Sequence, residues 1–221
     1  MAKYFVLSFD DGTIYDGRFI ELLNKYGIPC TFNLNSGLED FVWSYEDRFP
    51  IHRQKLDGTQ KQYEGHEVAS HSVHHHLMTE LTAPQVAYEV EADCARLKEL
   101  YGMEEIGFGT PFDQLGEREI KIIKKFVRYI RIPQGVEGFA LPADPYHIPI
   151  HALFNQPDIR ERIAAFDANE LEDSLFVVAG HSYDCEVLGL WEYFDDLLAF
   201  IKGFDFEIVT MMEFVNRCYP K

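Results

Sequence analysis

The chain has 221 residues, of which 47% are hydrophobic and 26% charged, which is typical of a folded protein with a sizeable core and excludes a disordered or collagen-like chain. Its 37 acidic and 20 basic residues give a net charge of −17. A field of this sign repels phosphate backbones and anionic lipid surfaces. We therefore expect neither nucleic acid nor a membrane surface as a partner.

The sequence also predicts a compartment. The first residues, MAKYFVLSFDDG, do not contain the apolar stretch of roughly 7–15 residues that a secretory signal peptide needs, and no segment approaches the roughly 20 apolar residues of a membrane span. The four cysteines, Cys30, Cys94, Cys185 and Cys218, form no CxxC pair and lie within apolar patterns, which indicates buried thiols in a reducing environment. We expect a cytoplasmic protein.

In the first half of the chain, short β-rich runs alternate with helical patterns. Strands are predicted at Lys3–Phe9, Pro29–Asn35 and His66–His71, and a helix at Arg18–Tyr26 that Gly27 ends. Residues 36–65 are polar and are predicted to be an insertion that contains one helix. The clearest helix begins with Thr82 and Gln85 at capping-box spacing and has Pro84 in its first turn. Its apolar face ends before Gly102.

The second half continues the alternation. The predicted strands are Ile106–Gly109, Arg128–Ile132, Phe139–Leu141, His147–Ile150, Leu175–Ala179 and Phe206–Val209. The predicted helices are Glu117–Phe126, Asp158–Ala168, Trp191–Lys202 and Met211–Cys218. We expect one α/β domain over residues 1–221, folded as an irregular (β/α) barrel of about seven strands. The sequence does not indicate an oligomeric state.

Three sets of polar residues follow predicted strands, at the edge where parallel α/β folds place their active sites. They are Asp10 and Asp11 after the first strand, a histidine cluster after the third, and His181 after Leu175–Ala179. Asp-Asp-Gly also describes a turn, and a single histidine after a buried strand is often a core residue. The combination of the three sets therefore carries more weight than any one of them.

The histidine cluster is the least ordinary of these features. Five of the nine histidines fall within eleven residues, at positions 66, 71, 74, 75 and 76. His71 and His75 are four apart, so on one helical turn they would face the same way and could share a metal ion. A carboxylate from Asp10 or Asp11 would complete a two-His-one-carboxylate set, while the other could remove a proton from water. The alternative is a solvated His-rich loop.

These motifs resemble those of the polysaccharide deacetylase, or NodB-homology, family. SFDDG at residues 8–12 is similar to its (T/S)FDDG motif, and HSVHH at 71–75 is similar to H(S/T)xxH. The order and spacing agree, and CTFNLN at 30–35, GHEVAS at 65–70 and VVAGH at 177–181 resemble the family's second strand, the approach to the histidines and the late strand with the last catalytic histidine. The resemblance runs from about residue 3 to residue 215.

The resemblance implies the role of each residue. Asp10 would be the general base, His181 the general acid, and Asp11, His71 and His75 the ligands of a divalent metal, most often zinc, with cobalt or another divalent ion as an alternative. The backbone N–H of Phe112 would be the oxyanion donor. Metal-assisted attack of water on an amide, followed by protonation of the departing amine, would release an acetyl group from an N-acetylated amino sugar.

Two motifs depart from the family pattern. GTPFD at residues 109–113 stands where RPPYG is common in the family, and it has no arginine. In the family that arginine normally orients the base aspartate. Because its absence would remove a positive neighbour, we expect a higher pKa for Asp10 than is usual in the family. The fourth motif is not recognisable. The candidates to hold the His181 imidazole are Asp184 and Asp144. The candidates to line an acyl pocket are Trp191, Tyr146 and Tyr183. For each of these residues, a role in the core or on the surface is the alternative.

Three other functions stay open at this point. The enzyme could cleave another non-peptide amide, such as a cyclic ureide or a formamide. The chain could instead be a non-catalytic sugar-binding member of the family, or a histidine-rich protein that holds metal ions. Asp10 and His181 weigh against the last two, because metal holding needs neither. A carbohydrate or a small amide is therefore the expected partner.

Overall fold

A curled parallel sheet organises the chain. The computed structural model describes residues 2–132 and 138–221. The strands are β1 (Ala2–Asp10), β2 (Thr31–Leu34), β3 (Val42–Tyr45), β4 (Phe49–His52), β5 (Glu67–Ser70), β6 (Phe108–Gly109), β7 (Ile130–Ile132), β8 (Ile148–Pro149), β9 (Ala152–Leu153), β10 (Asp173–His181) and β11 (Glu207–Ile208). The helices are α1 (Asp16–Tyr26), α2 (Ala83–Tyr101), α3 (Glu117–Ile123), α4 (Ile159–Ala168), α5 (Ser182–Val187), α6 (Trp191–Ile201) and α7 (Met211–Cys218).

The strand order in the sheet is β8-β7-β6-β5-β2-β1-β10-β9, and every pair in it is parallel. β11 adds to β1 beside Tyr4 and Phe5, while β2 pairs with the last three residues of β1. The sheet curls into a half-barrel, so the predicted α/β fold is confirmed, with eight strands along the curl where about seven were predicted. Within the described residues, β8 and β9 are its two ends.

The two longest strands set the geometry of the site. β1 and β10 pair along nine residues, from Ala2 beside Asp173 to Asp10 beside His181. Both strands are largely buried, because their apolar runs face helices on one side of the sheet and its concave interior on the other. This register brings Asp10 and His181 to the same level at the carboxyl edge of the sheet.

Most of the predicted elements are confirmed. α1 ends at Tyr26, where Gly27 adopts the left-handed conformation with φ of 61°. α2 starts after Thr82 with the predicted capping box, and α7 has the predicted bounds. All four cysteines are free thiols, and Cys218 is the one of them that is partly exposed. Among the described residues, no helix has the length and apolarity to cross a bilayer.

Three predictions of local structure were wrong. Residues 36–65 contain no helix; they contain the antiparallel hairpin β3–β4. Side chains of β3 alternate between exposed and partly buried, and Ile51 of β4 is fully buried. Residues 139–141 form no strand, because only Ala140 makes an isolated bridge, to Ser174. The segment from His71 to His75 is a loop rather than a helical turn. β9 and α5 were not predicted, since two and six residues are too short to show a period.

Candidate active site

The predicted site residues meet at the carboxyl edge of the sheet. Asp10 and His181 end β1 and β10, Asp11 follows Asp10, and His71 is the first residue after β5. They line a cavity of about 560 Å³, to which His75 and Phe112 also contribute. The structure thus brings together all six residues that the sequence singled out.

A tightly folded loop, and not a helix, brings His71 and His75 together. Ser72 and His75 have positive φ angles of 67° and 54°, which reverse the chain within a few residues. The Asn35 side-chain amide donates to the carbonyls of His71 and Ser72, and the His75 N–H donates to the Ser72 hydroxyl at 3.0 Å. The two imidazoles lie with their centroids 4.8 Å apart. The spacing therefore predicted their proximity, but for the wrong reason.

Asp11, His71 and His75 form a compact group of candidate ligands. Asp11 Oδ1 lies 3.8 Å from His71 Nε2 and 3.5 Å from His75 Nε2. His71 Nδ1–H donates to the Gly109 carbonyl at 2.8 Å, which turns Nε2 towards Asp11. Burial lowers the pKa of His71 to about 3 and also lowers the pKa of His75. Both imidazoles are therefore neutral near pH 7, the form that binds metals.

Arg131 and Asn33 hold Asp10. Arg131 Nη2 donates to Asp10 Oδ2 at 2.7 Å, and Asn33 Nδ2 donates to Oδ1 at 2.8 Å. The other guanidinium nitrogen, Nη1, donates to the carbonyl and the hydroxyl of Ser8. Although burial opposes ionisation, the Arg131 charge lowers the pKa of Asp10 below its ordinary value. The premise of the expected increase in the pKa of Asp10, a missing positive neighbour, was therefore wrong, because Arg131 supplies that charge.

The arginine that the third motif lacks is supplied by the neighbouring strand. Gly109 stands at the position of the family's arginine, and in the sheet it pairs with Arg131. A Cβ at Gly109 would lie 2.6 Å from Asn33 Cγ and 3.1 Å from Arg131 Nη2, so the space that Gly109 leaves is filled by these two side chains. Sequence reasoning missed Arg131. Its signal was a charged residue within the apolar run YIRI of a predicted strand.

Arg53 is a second residue that sequence reasoning missed. It comes from the 36–65 segment, is buried, and places Nη2 2.8 Å from Asp11 Oδ1. Nη1 donates to the Asp11 carbonyl and to Asn35 Oδ1. Although burial opposes ionisation, the Arg53 charge lowers the pKa of Asp11. Residues 36–65, which we call the hairpin segment, thus bring a fixed positive charge to the oxygen that a metal would use.

His181 is held by Asp184, one of the two residues proposed for that role. His181 Nδ1–H donates to Asp184 Oδ2 at 3.3 Å, and His181 Nε2 lies 3.9 Å from Asp11 Oδ2. Burial disfavours the charged imidazole, but the hydrogen bond to Asp184 and the charge of Asp11 raise the pKa of His181 to about 9. Asp144 contacts His147 instead.

Aromatic side chains wall one side of the cavity. Tyr183 stacks on His181 with ring centroids 4.7 Å apart, and Trp43 of β3 packs edge-on against Tyr183. Trp191 lies outside the cavity, where it hydrogen-bonds Glu186. Tyr146, the third residue proposed for the pocket, packs against the core.

Phe112 lies at the rim of the same cavity. Its side chain is exposed and packs edge-on against His75, with ring centroids 4.5 Å apart. Its φ of 54° turns the backbone after Pro111.

A family model described as polysaccharide deacetylase matches residues 1–127, more than half of the chain. The chain therefore belongs to the polysaccharide deacetylase family. No curated protein sequence matches it.

Solved structures of low sequence identity share the fold. The Xyl-CE4 domain of a multidomain xylanase from the hindgut metagenome of Trinervitermes trinervoides superposes with a TM-score of 0.65 at 18% identity, covering 98% of this chain and 91% of that one. A family 4 acetyl xylan esterase from Clostridium thermocellum, in complex with a cobalt ion, gives 0.63 at 17% identity, with 97% and 91% covered. The Bc1960 peptidoglycan N-acetylglucosamine deacetylase gives 0.58 at 13% identity, with 96% and 87% covered.

Proposed function

We propose that the chain is a metal-dependent hydrolase that removes an acetyl group from an N-acetylated amino sugar. The observation that carries the proposal is one cavity in which an ionised carboxylate, Asp10, and a protonated imidazole, His181, flank the Asp11, His71 and His75 group. Hydrolysis of an amide needs both, because water must lose a proton and the amine must gain one. Membership of the polysaccharide deacetylase family supports the same reaction.

The Asp11, His71 and His75 set fits a divalent metal. Asp11 Oδ1 is buried and pairs with Arg53 Nη2 at 2.8 Å without hydrogen-bond geometry, and two neutral imidazole nitrogens lie 3.5 and 3.8 Å from it. Two nitrogens and one carboxylate oxygen leave open positions for water and substrate. We propose zinc, with cobalt or another divalent ion as the alternative; the cobalt ion bound to the Clostridium thermocellum esterase supports a divalent ion.

Asp10 acts as the general base in this proposal. Arg131 and Asn33 fix both of its oxygens, so it is ionised and held in one orientation when water attacks. The same contacts make it a weak base. A divalent ion held by Asp11, His71 and His75 would polarise the acyl carbonyl and lower the pKa of the attacking water, which makes transfer of its proton to Asp10 feasible. The Phe112 N–H is proposed to donate to the developing oxyanion.

His181 acts as the general acid. With a pKa of about 9 it carries its proton at neutral pH, and Asp184 holds Nδ1 so that Nε2 faces the cavity. Transfer of the Nε2 proton to the departing nitrogen breaks the carbon–nitrogen bond. Tyr183, stacked on the imidazole, limits the positions that the ring can adopt.

A small non-peptide amide, such as a cyclic ureide or a formamide, is the second candidate substrate. The hairpin segment favours it, because Leu38, Phe41 and Trp43 wall the cavity on one side. Its volume of about 560 Å³ is within the usual range for small-molecule pockets.

The decisive experiment is a metal analysis combined with an amine-release assay over N-acetylglucosamine oligomers, muropeptides and cyclic ureides. We expect about one divalent ion in the catalytic site and amine release from the N-acetyl sugars. His71→Ala and His75→Ala should lose both. Release from a ureide alone would support the second candidate. A protein that binds sugar but releases no amine from any substrate between about pH 5 and pH 9 would contradict the hydrolase and support a binding protein.

A further inference from the structure

The histidine cluster contains more imidazoles than the catalytic site uses. His74 and His76 lie on the same loop as His71 and His75, and both are exposed. Within the described residues, two groups of histidine and carboxylate side chains bring all their donor atoms within 4.8 Å of one another. One is the catalytic group, and the other is formed by His74, His76 and Glu89. The two groups share no residue.

Glu89 is a buried carboxylate on α2 that faces the loop. Only 4% of its surface is exposed. Its Oε2 accepts the His74 backbone N–H at 2.8 Å, its Oε1 accepts His74 Nδ1–H at 2.8 Å, and its carbonyl accepts the Val73 N–H at 3.0 Å. A buried carboxylate is costly unless it is paired or ligates a cation. These contacts fix the loop to α2.

The donor atoms lie within 4.8 Å of one another, so small side-chain rotations would bring them round one cation. Two ligands that each lie about 2.1 Å from one cation and meet at a right angle are roughly 3 Å apart. His74 Nδ1 and Glu89 Oε1 are 2.8 Å apart, and the His74 and His76 rings have centroids 5.6 Å apart. A second cavity of about 400 Å³ opens beside the group and is lined by all three residues together with Tyr88 and Leu81. This cavity gives room for the water molecules that would complete the shell.

We propose that His74, His76 and Glu89 form a second binding site for a divalent transition-metal ion, separate from the catalytic group. Two imidazoles and one carboxylate are a suitable ligand set for zinc, cobalt or nickel. The net charge of −17 favours the approach of a cation. An ion in this site would replace the hydrogen bond between His74 and Glu89 by two coordinate bonds, with the His74 proton moved from Nδ1 to Nε2, and would add a metal link between α2 and the loop that carries His75.

Zinc counting tests the proposal without an activity assay. The protein is stripped with chelator and dialysed against increasing Zn²⁺, and bound zinc is counted per chain. We expect two ions in the wild type and one in both His76→Asn and the double variant His74→Gln/His76→Asn. His71→Asn should also keep one, in the second site. His52→Asn, at an exposed histidine on β4, is the matched control and should keep two.

The variants also separate this proposal from the catalytic one. If the wild type binds one zinc that His71→Asn loses and His76→Asn retains, the second site does not exist and the catalytic assignment stands. If His74→Gln/His76→Asn still binds two ions, the ligand set is wrong. His74 and His76 are exposed, so the variants should fold, which far-ultraviolet circular dichroism checks. Titration with Co²⁺, followed by its visible absorption, gives a second count of the sites in each variant.

Discussion

Replacement of Arg131 by Met tests how Asp10 is held. The guanidinium is 1% exposed, lies 2.7 Å from Asp10 Oδ2 and also fixes Ser8. Its loss leaves Asp10 with Asn33 as its remaining side-chain donor and a buried charge without its counter-ion, which typically costs about 3–5 kcal/mol in the free energy of unfolding. The pKa of Asp10 rises, and the carboxylate is free to turn. A base that is misplaced by about 1 Å loses roughly a hundredfold in rate. Arg131→Lys keeps the charge but carries it on one nitrogen in place of the two that contact Ser8 and Asp10, so we expect a loss of about tenfold.

The assay is amine release from N-acetylglucosamine oligomers as a function of pH. In Arg131→Met, kcat falls, KM stays within about twofold, and the acidic limb of the pH profile moves to higher pH, because the carboxylate protonates more readily. Arg128→Met is the matched control: Arg128 is partly buried near the start of the same strand but donates to the Tyr219 carbonyl. Wild-type kcat and an unchanged acidic limb in folded Arg131→Met would mean that Arg131 neither orients Asp10 nor lowers its pKa.

Three further predictions concern other charged groups of the site and its support. Arg53→Gln should raise the affinity for Zn²⁺ at least about tenfold, since it removes a positive charge 2.8 Å from Asp11 Oδ1; a chelator competition that shows weaker binding would contradict this. Burial raises the pKa of Asp16 to about 6, so the folded state binds this proton more tightly than the unfolded state does. The bound proton contributes roughly 3 kcal/mol to the free energy of unfolding below about pH 4. This contribution is lost as pH rises through 6. Urea unfolding of Asp16→Asn from about pH 4 to 7 should lack that loss, and a slope equal to the wild type's would count against the buried proton. Since His181 has a pKa of about 9, kcat/KM should fall above that pH, and residual activity in His181→Ala should show no such limb; an unchanged limb would mean that another group is the acid.

The sequence predicted the long strands and helices, and it predicted that the site residues lie close together. β1 and β10 appear as continuous apolar runs, and a polar residue at the end of each marks the edge where the site forms. Local signals of this kind also set the limits of the helices, as Gly27 and the Thr82 capping box do. Asp10, Asp11, His71, His75 and His181 could therefore be named without a structure, and Phe112 was named from the family resemblance alone.

The residues that hold the site could not be predicted, because their contacts span long stretches of chain. Arg131 reaches Asp10 only through the pairing of β6 with β7, which are two and three residues long. Arg53 reaches Asp11 only because the hairpin folds over the carboxyl edge, and a polar segment gives no indication of where it packs. The His71–His75 spacing suggested a helical turn, whereas side-chain hydrogen bonds from Asn35 impose a loop.

The proposed hydrolysis is tested by two measurements on metal-loaded Asp10→Asn: the rate of acetate release and the amount of metal bound per chain. The amide keeps the shape of the carboxylate and removes the base, while Asp11, His71 and His75 are unchanged. We predict wild-type metal content and a loss of about 10²–10⁴-fold in kcat on N-acetylglucosamine oligomers. Near-normal turnover by Asp10→Asn would mean that Asp10 is not the general base and that another group deprotonates the attacking water.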